Sequence, residues 1–157
     1  MNIEFWHIGK TSVDFVKSGV AYYQKQIGHY CTFKIVSLSS AVGKGITAID
    51  RYKQVEADIL MKKIKPGDFL VLLDEAGATL TSKKMASWLQ KTIDRSPRRI
   101  IFLIGGAYGF ADEVYDRSQY KLSLSPMTFP HQLVRIIFLE QLYRAFTIIH
   151  RKKYHHS

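Results

Sequence analysis

Cysteine, proline and long apolar runs are all scarce in this sequence, which has one Cys and four Pro in 157 residues. Cys31 has no second cysteine with which to form an internal disulfide or a cysteine-based zinc framework. No apolar run approaches the roughly 18 residues that indicate a membrane span. The opening residues MNIEFWHIGK lack the cationic start, the apolar stretch and the cleavage site of a secretory signal. We therefore expect a cytoplasmic protein with no membrane segment and no metal.

Acidic residues are also scarce, since 13 Asp and Glu stand against 23 Lys and Arg and give a formal net charge of +10. A positive field of this size concentrates polyanions, and counterion release would make any nucleic-acid binding salt-dependent. A basic surface that serves only solubility is the alternative. The charge favours a nucleic-acid partner over that alternative.

Strand-like and helix-like segments alternate along the whole chain, without an internal repeat or a shift in composition. The length suits one domain, so residues 1–157 are expected to form a single domain. The alternation predicts a three-layer α/β fold around a mostly parallel sheet of five to six strands. The predicted strands are 2–9, 31–38, 68–74, 98–106 and 120–124; the predicted helices are 12–27, 47–63, about 82–94, a short one within 108–118, and 132–149.

Three predicted loops follow the carboxyl ends of strands, where open parallel α/β sheets bind their ligands. They span 73–79, 105–110 and 125–131. In the second loop the glycines of IGGAYGF could let backbone amides approach a ligand closely. This cluster is not a dinucleotide fingerprint, because Ile104 stands where that pattern needs glycine. A tight turn with positive φ is the alternative reason for one or two of the glycines.

The third loop is bounded by two prolines, Pro126 and Pro130. Fixed φ angles and two missing N–H donors exclude regular strand or helix between them. Such a rigid loop could present backbone groups to a flat ligand, with Met127 and Phe129 as apolar walls. A stiff connector that merely ends the strand is the alternative.

The closing helix over 132–149 is apolar on more than one face, which is typical of a central core helix or a subunit interface. Glu140 and Arg144 stand four residues apart, as in an ordinary surface ion pair, so Arg144 is expected to be structural. Arg135 is therefore the better candidate to bind an anionic or polar ligand. The basic tail RKKYHHS is either a frayed end or a group that faces an RNA base.

Several segments together resemble the small SPOUT-class methyltransferases of the RlmH type. The resemblance covers nearly the whole chain and is most specific from 101 to 157. It implies a C-terminal trefoil knot, a homodimer, S-adenosylmethionine as cofactor, and methylation of N3 of a pseudouridine in 23S rRNA of assembled bacterial ribosomes. The segments that carry it are HIGK, VLLDEAGATLTS, FLIGGAYGF, LSLSPMTFPHQLVRIIFLEQLYRAF and the terminal YHH.

Carried over by position, the resemblance also implies site residues. Those for the cofactor are Leu73, Gly105, Leu124, Ser125, Pro126, Met127, Thr128 and Phe129. The residues expected near the acceptor nitrogen are His131, Arg135, Tyr154 and His155. A histidine or tyrosine would aid deprotonation of the base, and Arg135 would orient it or stabilise its negative charge. In this family the tail is thought to reach the partner's cofactor site.

The chain departs from the family pattern at Tyr108, where a smaller polar or acidic residue is common, and at His156, so neither is assigned a role. Two alternatives to the 23S rRNA enzyme stay open. One is a non-catalytic RNA-binding or ribosome-binding module with this fold, and the other is a SPOUT enzyme that methylates tRNA.

Overall fold

The computed structural model describes residues 1–40, 45, 47–106 and 108–154, and it contains five strands and five helices within them. The strands are β1 (Asn2–Ile8), β2 (Thr32–Leu38), β3 (Asp68–Thr79), β4 (Arg99–Ile104) and β5 (Tyr120–Ser123). The helices are α1 (Asp14–Gly28), α2 (Ile49–Lys63), α3 (Ser82–Asp94), α4 (Asp112–Arg117) and α5 (Leu133–Ile149). Across these described ranges, no helix is long and apolar enough to cross a membrane.

The five strands form one sheet in the order β2-β1-β4-β3-β5, and every neighbouring pair is parallel. β4 lies at the centre, and its residues 100–104 are all buried, as the apolar run RIIFLI predicts for a strand covered on both faces. The α/β fold with a parallel sheet is therefore confirmed. The trefoil knot stays a prediction.

Two separate cores cover the two faces of the sheet, which gives the three layers. Ile100 and Phe102 point to one core, and Ile101 and Leu103 point to the other, because side chains alternate along a strand. Helices α1, α3 and α5 supply the first core, and α2 and α4 supply the second.

Helix α5 is apolar all round because it lies between α1 and α3 as well as on the sheet. Phe138, Leu139 and Leu142 are completely buried in this one chain. The ring of Phe138 contacts Phe5 and Phe102, each at a centroid distance of 4.9 Å. Core packing within the chain thus accounts for part of the apolar surface of α5, while Ile136 and Ile137 stay partly exposed. A subunit interface on this helix stays a prediction.

Strand β3 is longer than predicted. Residues 75–79 were expected to be a loop, but β3 runs to Thr79 and resumes its pairing with β5 at Ala78, after an irregularity that follows Leu73. Gly77 makes this second ladder possible, because a Cβ there would lie 2.6 Å from the backbone carbonyl carbon of Lys121. The prediction of a loop was wrong for this reason.

Helix α1 begins at Asp14, two residues later than predicted. The backbone N–H of Ser12 donates to Oε1 of Gln132 at 2.9 Å, so Ser12 is held in the loop by α5's first turn and does not cap α1. Thr81, by contrast, caps α3, since its Oγ1 accepts from the Lys84 N–H at 3.2 Å.

Candidate functional site

A cavity of about 440 Å³ lies beside the irregularity in the middle of β3 and at the carboxyl ends of β4 and β5. All three loops that the parallel topology singled out contribute to it. The lining residues are Leu73, Asp74, Glu75, Ile104, Gly105, Gly106, Gly109, Phe110, Tyr115, Ser123, Leu124, Ser125, Met127, Phe129, His131 and Val134.

The glycine turn after β4 has a separate physical reason for each of its three glycines. Gly109 has φ +77°, a conformation that disfavours other residues. A Cβ on Gly105 would lie 2.9 Å from the Phe110 ring, and one on Gly106 would lie 2.6 Å from a carboxylate oxygen of Glu56. Positive φ therefore explains one glycine, and close packing explains the other two.

The loop between the prolines is held by its own hydrogen bonds. The Met127 N–H donates to Oγ of Ser125 at 2.9 Å, and the Ser123 hydroxyl donates to the Ser125 carbonyl at 3.1 Å. Met127 is 72% exposed and forms an open apolar edge of the cavity. Pro126 and Thr128 belong to this loop but are not among the lining residues.

One side of the cavity is acidic. Asp74 and Glu75 follow Leu73 there, and the Tyr115 hydroxyl donates to Oδ2 of Asp74 at 2.5 Å. Burial, together with the hydrogen bond to Asp74 and its charge, raises the pKa of Tyr115 to about 12. Tyr115 therefore stays a protonated donor at neutral pH. Sequence reasoning missed this residue because the contact joins positions 41 residues apart with no local pattern to reveal it.

Among the predicted acceptor-side residues that the structure describes, His131, Arg135 and Tyr154, only His131 lines the cavity. Partial burial and then the positive charge of Arg135 lower its pKa. Its imidazole is therefore neutral at pH 7, and a neutral ring can accept a proton.

Arg135 is fully buried, at 1% exposure, and is not a lining residue. Its Nη1 donates to Oγ1 of Thr11 at 2.8 Å, and its Nη2 donates to the Ile8 carbonyl at 3.1 Å. Gln132 adds a bond to the Lys10 carbonyl at 3.1 Å. These contacts tie the start of α5 to the segment that connects β1 to α1.

Tyr154 lies against the second half of α5 and is not among the cavity residues. Its hydroxyl donates to Oε2 of Glu140 at 2.9 Å, and the Arg144 guanidinium lies 5.0 Å from its ring centroid. The predicted Glu140–Arg144 pair is present at 2.6 Å. Burial and the bond to Glu140 raise the pKa of Tyr154. His155 lies outside the described residues.

The structure thus brings most of the predicted cofactor residues together around one cavity and separates the predicted acceptor residues. The predicted residues that line it are Leu73, Gly105, Leu124, Ser125, Met127, Phe129 and His131. The predicted loops already contained Asp74, Glu75, Gly106, Gly109 and Phe110, although none was named as a site residue. Val134 is the second residue of α5, where the apolar pattern could only mark it as core.

The cavity suits an organic cofactor. Its volume is within the range of small-molecule pockets, and its wall combines apolar side chains with a glycine turn that brings backbone close to the ligand space. Within the part of the chain that the structure describes, no group of three or more His, Cys, Asp or Glu side chains is placed to hold a metal ion.

Comparison with known proteins identifies the fold and the family of this chain. A solved structure titled as a probable methylase family protein from Haemophilus influenzae superposes with a TM-score of 0.54 at 14% identity, covering 98% of this chain and 68% of that one. At this identity the likeness shows a shared fold.

Full-length relatives are much more similar in sequence. The proteins named ribosomal RNA large subunit methyltransferase H from Cytophaga hutchinsonii and Parabacteroides distasonis are 42% and 38% identical, over 99% and 100% of this chain and 100% of their own. The one from Flavobacterium psychrophilum is 39% identical over the whole of both chains. The family described as predicted SPOUT methyltransferase matches residues 1–155. The resemblance seen in the sequence is confirmed, and the chain belongs to the SPOUT methyltransferase family.

Proposed function

We propose that this protein uses S-adenosylmethionine to methylate N3 of a pseudouridine in 23S rRNA of the assembled bacterial ribosome. The observation that carries the proposal is the cavity formed by the middle of β3 and the segments that follow β4 and β5 in a SPOUT methyltransferase chain. The rRNA substrate rests on the relatives, which are named as methyltransferases of the large-subunit rRNA. A cytoplasmic location and the trefoil knot belong to the same proposal.

The proline-bounded loop and the glycine turn would hold the cofactor. Leu73, Leu124 and Phe129 provide apolar surface, and the backbone around Gly105 and Ser125 provides hydrogen-bonding groups. When bound, the cofactor supplies an electrophilic methyl group. The contribution of the chain to such a transfer is positioning in a space that excludes water.

The acceptor nitrogen must lose a proton, and His131 is the cavity residue suited to take it. Its pKa is lowered by partial burial and by Arg135, so its ring is available as a base at neutral pH. Tyr154 and His155 would reach the acceptor from a second subunit, because Tyr154 does not line the cavity of its own chain. The contacts of Arg135 favour a positioning role through Thr11 and His131 over direct contact with the base.

The proposed site needs a homodimer, because one subunit supplies the cavity and the other supplies Tyr154 and His155. Exposed apolar side chains before and along the first half of α1, including Val13, Phe15 and Tyr22, offer a surface for the second subunit. The net charge of +10 would then be doubled on a dimer that has no separate RNA-binding domain, and this basic surface would recognise the shape of the ribosome.

Calorimetry and methyl transfer test the proposal. We expect S-adenosylmethionine to bind, and labelled methyl groups to enter 23S rRNA in 70S particles and not tRNA. A protein that binds no donor at millimolar concentration would be a non-catalytic ribosome-binding or RNA-binding module. Incorporation into tRNA alone would make it a tRNA-modifying SPOUT enzyme. Either result contradicts the proposal.

Tyr154→Phe tests whether donor binding and methyl transfer depend on different residues. The hydroxyl bonds to Glu140 and not to the cavity, so donor affinity should stay within about twofold of wild type, while transfer to 70S particles slows by about tenfold or more. His155→Ala should behave in the same way. Equal losses of donor affinity and transfer would indicate a folding or dimer defect instead.

A further inference from the structure

The described part of the C-terminal tail folds back onto α5. The helix ends at Ile149, and the chain reverses at Arg151, which has φ +54°. The Arg151 N–H donates to the Ile148 carbonyl at 3.0 Å, and the Lys152 N–H donates to the Thr147 carbonyl at 2.8 Å. These two bonds form a Schellman turn, which ends a helix and redirects the chain.

Tyr154 holds the reversed tail against the middle of α5. Its hydroxyl donates to Oε2 of Glu140 at 2.9 Å, although the two residues are 14 positions apart and would be about 21 Å apart in a continuous helix. Its ring meets the Tyr143 ring edge to face at a centroid distance of 4.9 Å, and the Arg144 guanidinium lies over it. The tail therefore runs back over the last turns of α5.

Glu140 bonds to the helix and to the tail at the same time. Its Oε1 accepts from Nε and Nη2 of Arg144 at 2.9 and 2.6 Å, and its Oε2 accepts from Tyr154. The Glu140 side chain is only 19% exposed, so water competes less for these bonds than at an open surface position. Burial and then the bond with Glu140 raise the pKa of Tyr154, so the hydroxyl keeps the proton that it donates.

The backbone of the turn shows that the folded tail is more than a relaxed chain end. Position 151 has a left-handed conformation that favours glycine, and an arginine in that conformation costs free energy. At an unconstrained terminus this cost would favour opening of the turn. The contacts of Tyr154 with Glu140 and its neighbours offset the cost and keep the tail on α5.

We propose that Glu140 is a positioning residue for the methyl-transfer site of the second subunit: it holds the Tyr154 hydroxyl on α5 and so presents the C-terminal tail to that subunit in one arrangement. This inference rests on the proposed function, in which Tyr154 and His155 serve the acceptor side of the second subunit's site. A tail that is already held loses less conformational freedom when the acceptor base binds, so the effect falls on methyl transfer and not on donor binding.

Trypsin digestion tests the holding without an activity assay, because Lys152 and Lys153 lie in the tail. Glu140→Leu should speed cleavage after these lysines by at least about fivefold, since Tyr154 loses the acceptor that holds it. Glu140→Gln keeps a side-chain oxygen that can accept from Tyr154, so its cleavage rate should stay within about twofold of wild type. Mass spectrometry of the shortened chain measures the rate.

Methyl transfer to 70S particles tests the positioning. Glu140→Leu should lower kcat by about tenfold or more, with donor Kd and melting temperature near those of wild type, because the residue does not line the cavity and its ion pair is partly exposed. Glu140→Gln should recover most of the lost rate. Asp94→Leu is the matched control, since it removes a carboxylate on α3 that accepts an i,i+4 hydrogen bond from Gln90 at 2.8 Å. It should change none of these quantities.

A double variant gives a further check. Glu140→Leu and Tyr154→Phe remove the same hydrogen bond, so the double variant should transfer methyl groups no more slowly than the slower single variant. Losses that multiply would show that the two residues act independently and would contradict the proposal.

Three other results would overturn it: unchanged cleavage in Glu140→Leu, faster cleavage with wild-type transfer, or transfer that becomes faster, which would mean that the tail must leave α5 to act. Loss of the wild-type oligomeric state in Glu140→Leu, measured by light scattering, would make Glu140 an interface residue instead. Failure of the proposed function is distinct from all of these, because the wild-type protein itself would then transfer no methyl group to 70S particles.

Discussion

Arg135 donates from both Nη atoms to the segment that follows β1, and this is the best-defined interaction of a predicted site residue. A cation at 1% exposure is expensive to bury, but removing it leaves the Ile8 carbonyl and the Thr11 hydroxyl without their donor. The same charge lowers the pKa of His131 after the effect of burial. One buried side chain therefore ties α5 to the segment that follows β1 and lowers the pKa of His131.

Arg135→Met should lower the free energy of unfolding by about 2 kcal/mol, because the carbonyl of Ile8 loses a charged donor and stays buried. Urea denaturation measures the change. Arg144→Met on the same helix removes only a partly exposed i,i+4 pair and should cost about 0.5 kcal/mol. Equal losses in the two variants would show that Arg135 does not hold the loop.

His7 is a second buried group near the same site, at 3% exposure. Its Nδ1 lies 2.8 Å from the Gly9 carbonyl, so this nitrogen carries the proton and donates. Burial and then the charge of Arg135 lower its pKa to about 4. The folded protein therefore holds His7 neutral through the range in which an unfolded histidine takes up a proton.

The lowered pKa of His7 makes the stability of the fold depend on pH. Stability from neutral His7 is complete above the unfolded pKa of about 6.5 and is lost as pH falls towards 4. His7→Asn should lower stability at pH 7, and its deficit relative to wild type should shrink by about 1 to 2 kcal/mol at pH 5. Urea denaturation at the two pH values checks this. A deficit that is constant with pH would contradict a depressed pKa.

At the scale of elements, the second stretch of pairing between β3 and β5 positions the proline-bounded loop that follows β5. β5 ends at Ser123, directly before that loop, and its last two residues pair with Ala78 and Thr79 of β3. Gly77 allows the close approach, since the backbone of Lys121 and Leu122 lies within 2.7 Å of where its Cβ would be.

Gly77→Ala should therefore destabilise the protein by about 2 kcal/mol and weaken donor binding, because backbone cannot move aside as a flexible side chain can. Gly28→Ala is the matched control. Nothing lies within 4 Å of a Cβ there, so it should be neutral or stabilise by about 0.5 kcal/mol. Thermal unfolding measures the stability of both variants, and calorimetry measures their donor affinity. If Gly77→Ala leaves donor affinity unchanged, the pairing of β3 with β5 does not position the donor site.

These elements also show what the sequence could predict. Strand RIIFLI was predicted because its signal, a continuous apolar run, is local. The extension of β3 was missed because it depends on pairing with β5, 44 residues away.

The candidate site also has features that the sequence predicted and features that it did not. Its location followed from the topology rule for parallel sheets, and six of the lining residues were carried over from a family motif together with His131. The positions of Arg135 and Tyr154 did not follow from their places in the sequence. Both lie on or beside α5, but one points into the protein and the other packs on Glu140 at the surface.

At the scale of the whole molecule, the separation of Tyr154 from the cavity makes subunit mixing the decisive experiment on the proposed dimer. Ser125→Trp should fill the cavity and abolish donor binding, and Tyr154→Phe should keep donor binding but slow transfer. If each site takes its cofactor loop from one subunit and Tyr154 from the other, one of the two sites in every mixed dimer is intact. Random exchange of two nearly inactive variants should then restore about a quarter of wild-type activity per subunit.

The alternative arrangement, with each site complete in one chain, has a different outcome. Every cavity in the mixture would then carry one of the two substitutions, and mixing would restore no activity. The control is Ser125→Trp mixed with itself after the same exchange treatment, which should stay inactive in both arrangements. Activity that rises with the fraction of mixed dimers, measured as methyl transfer to 70S particles, would show that two copies of this chain are needed to build one working site.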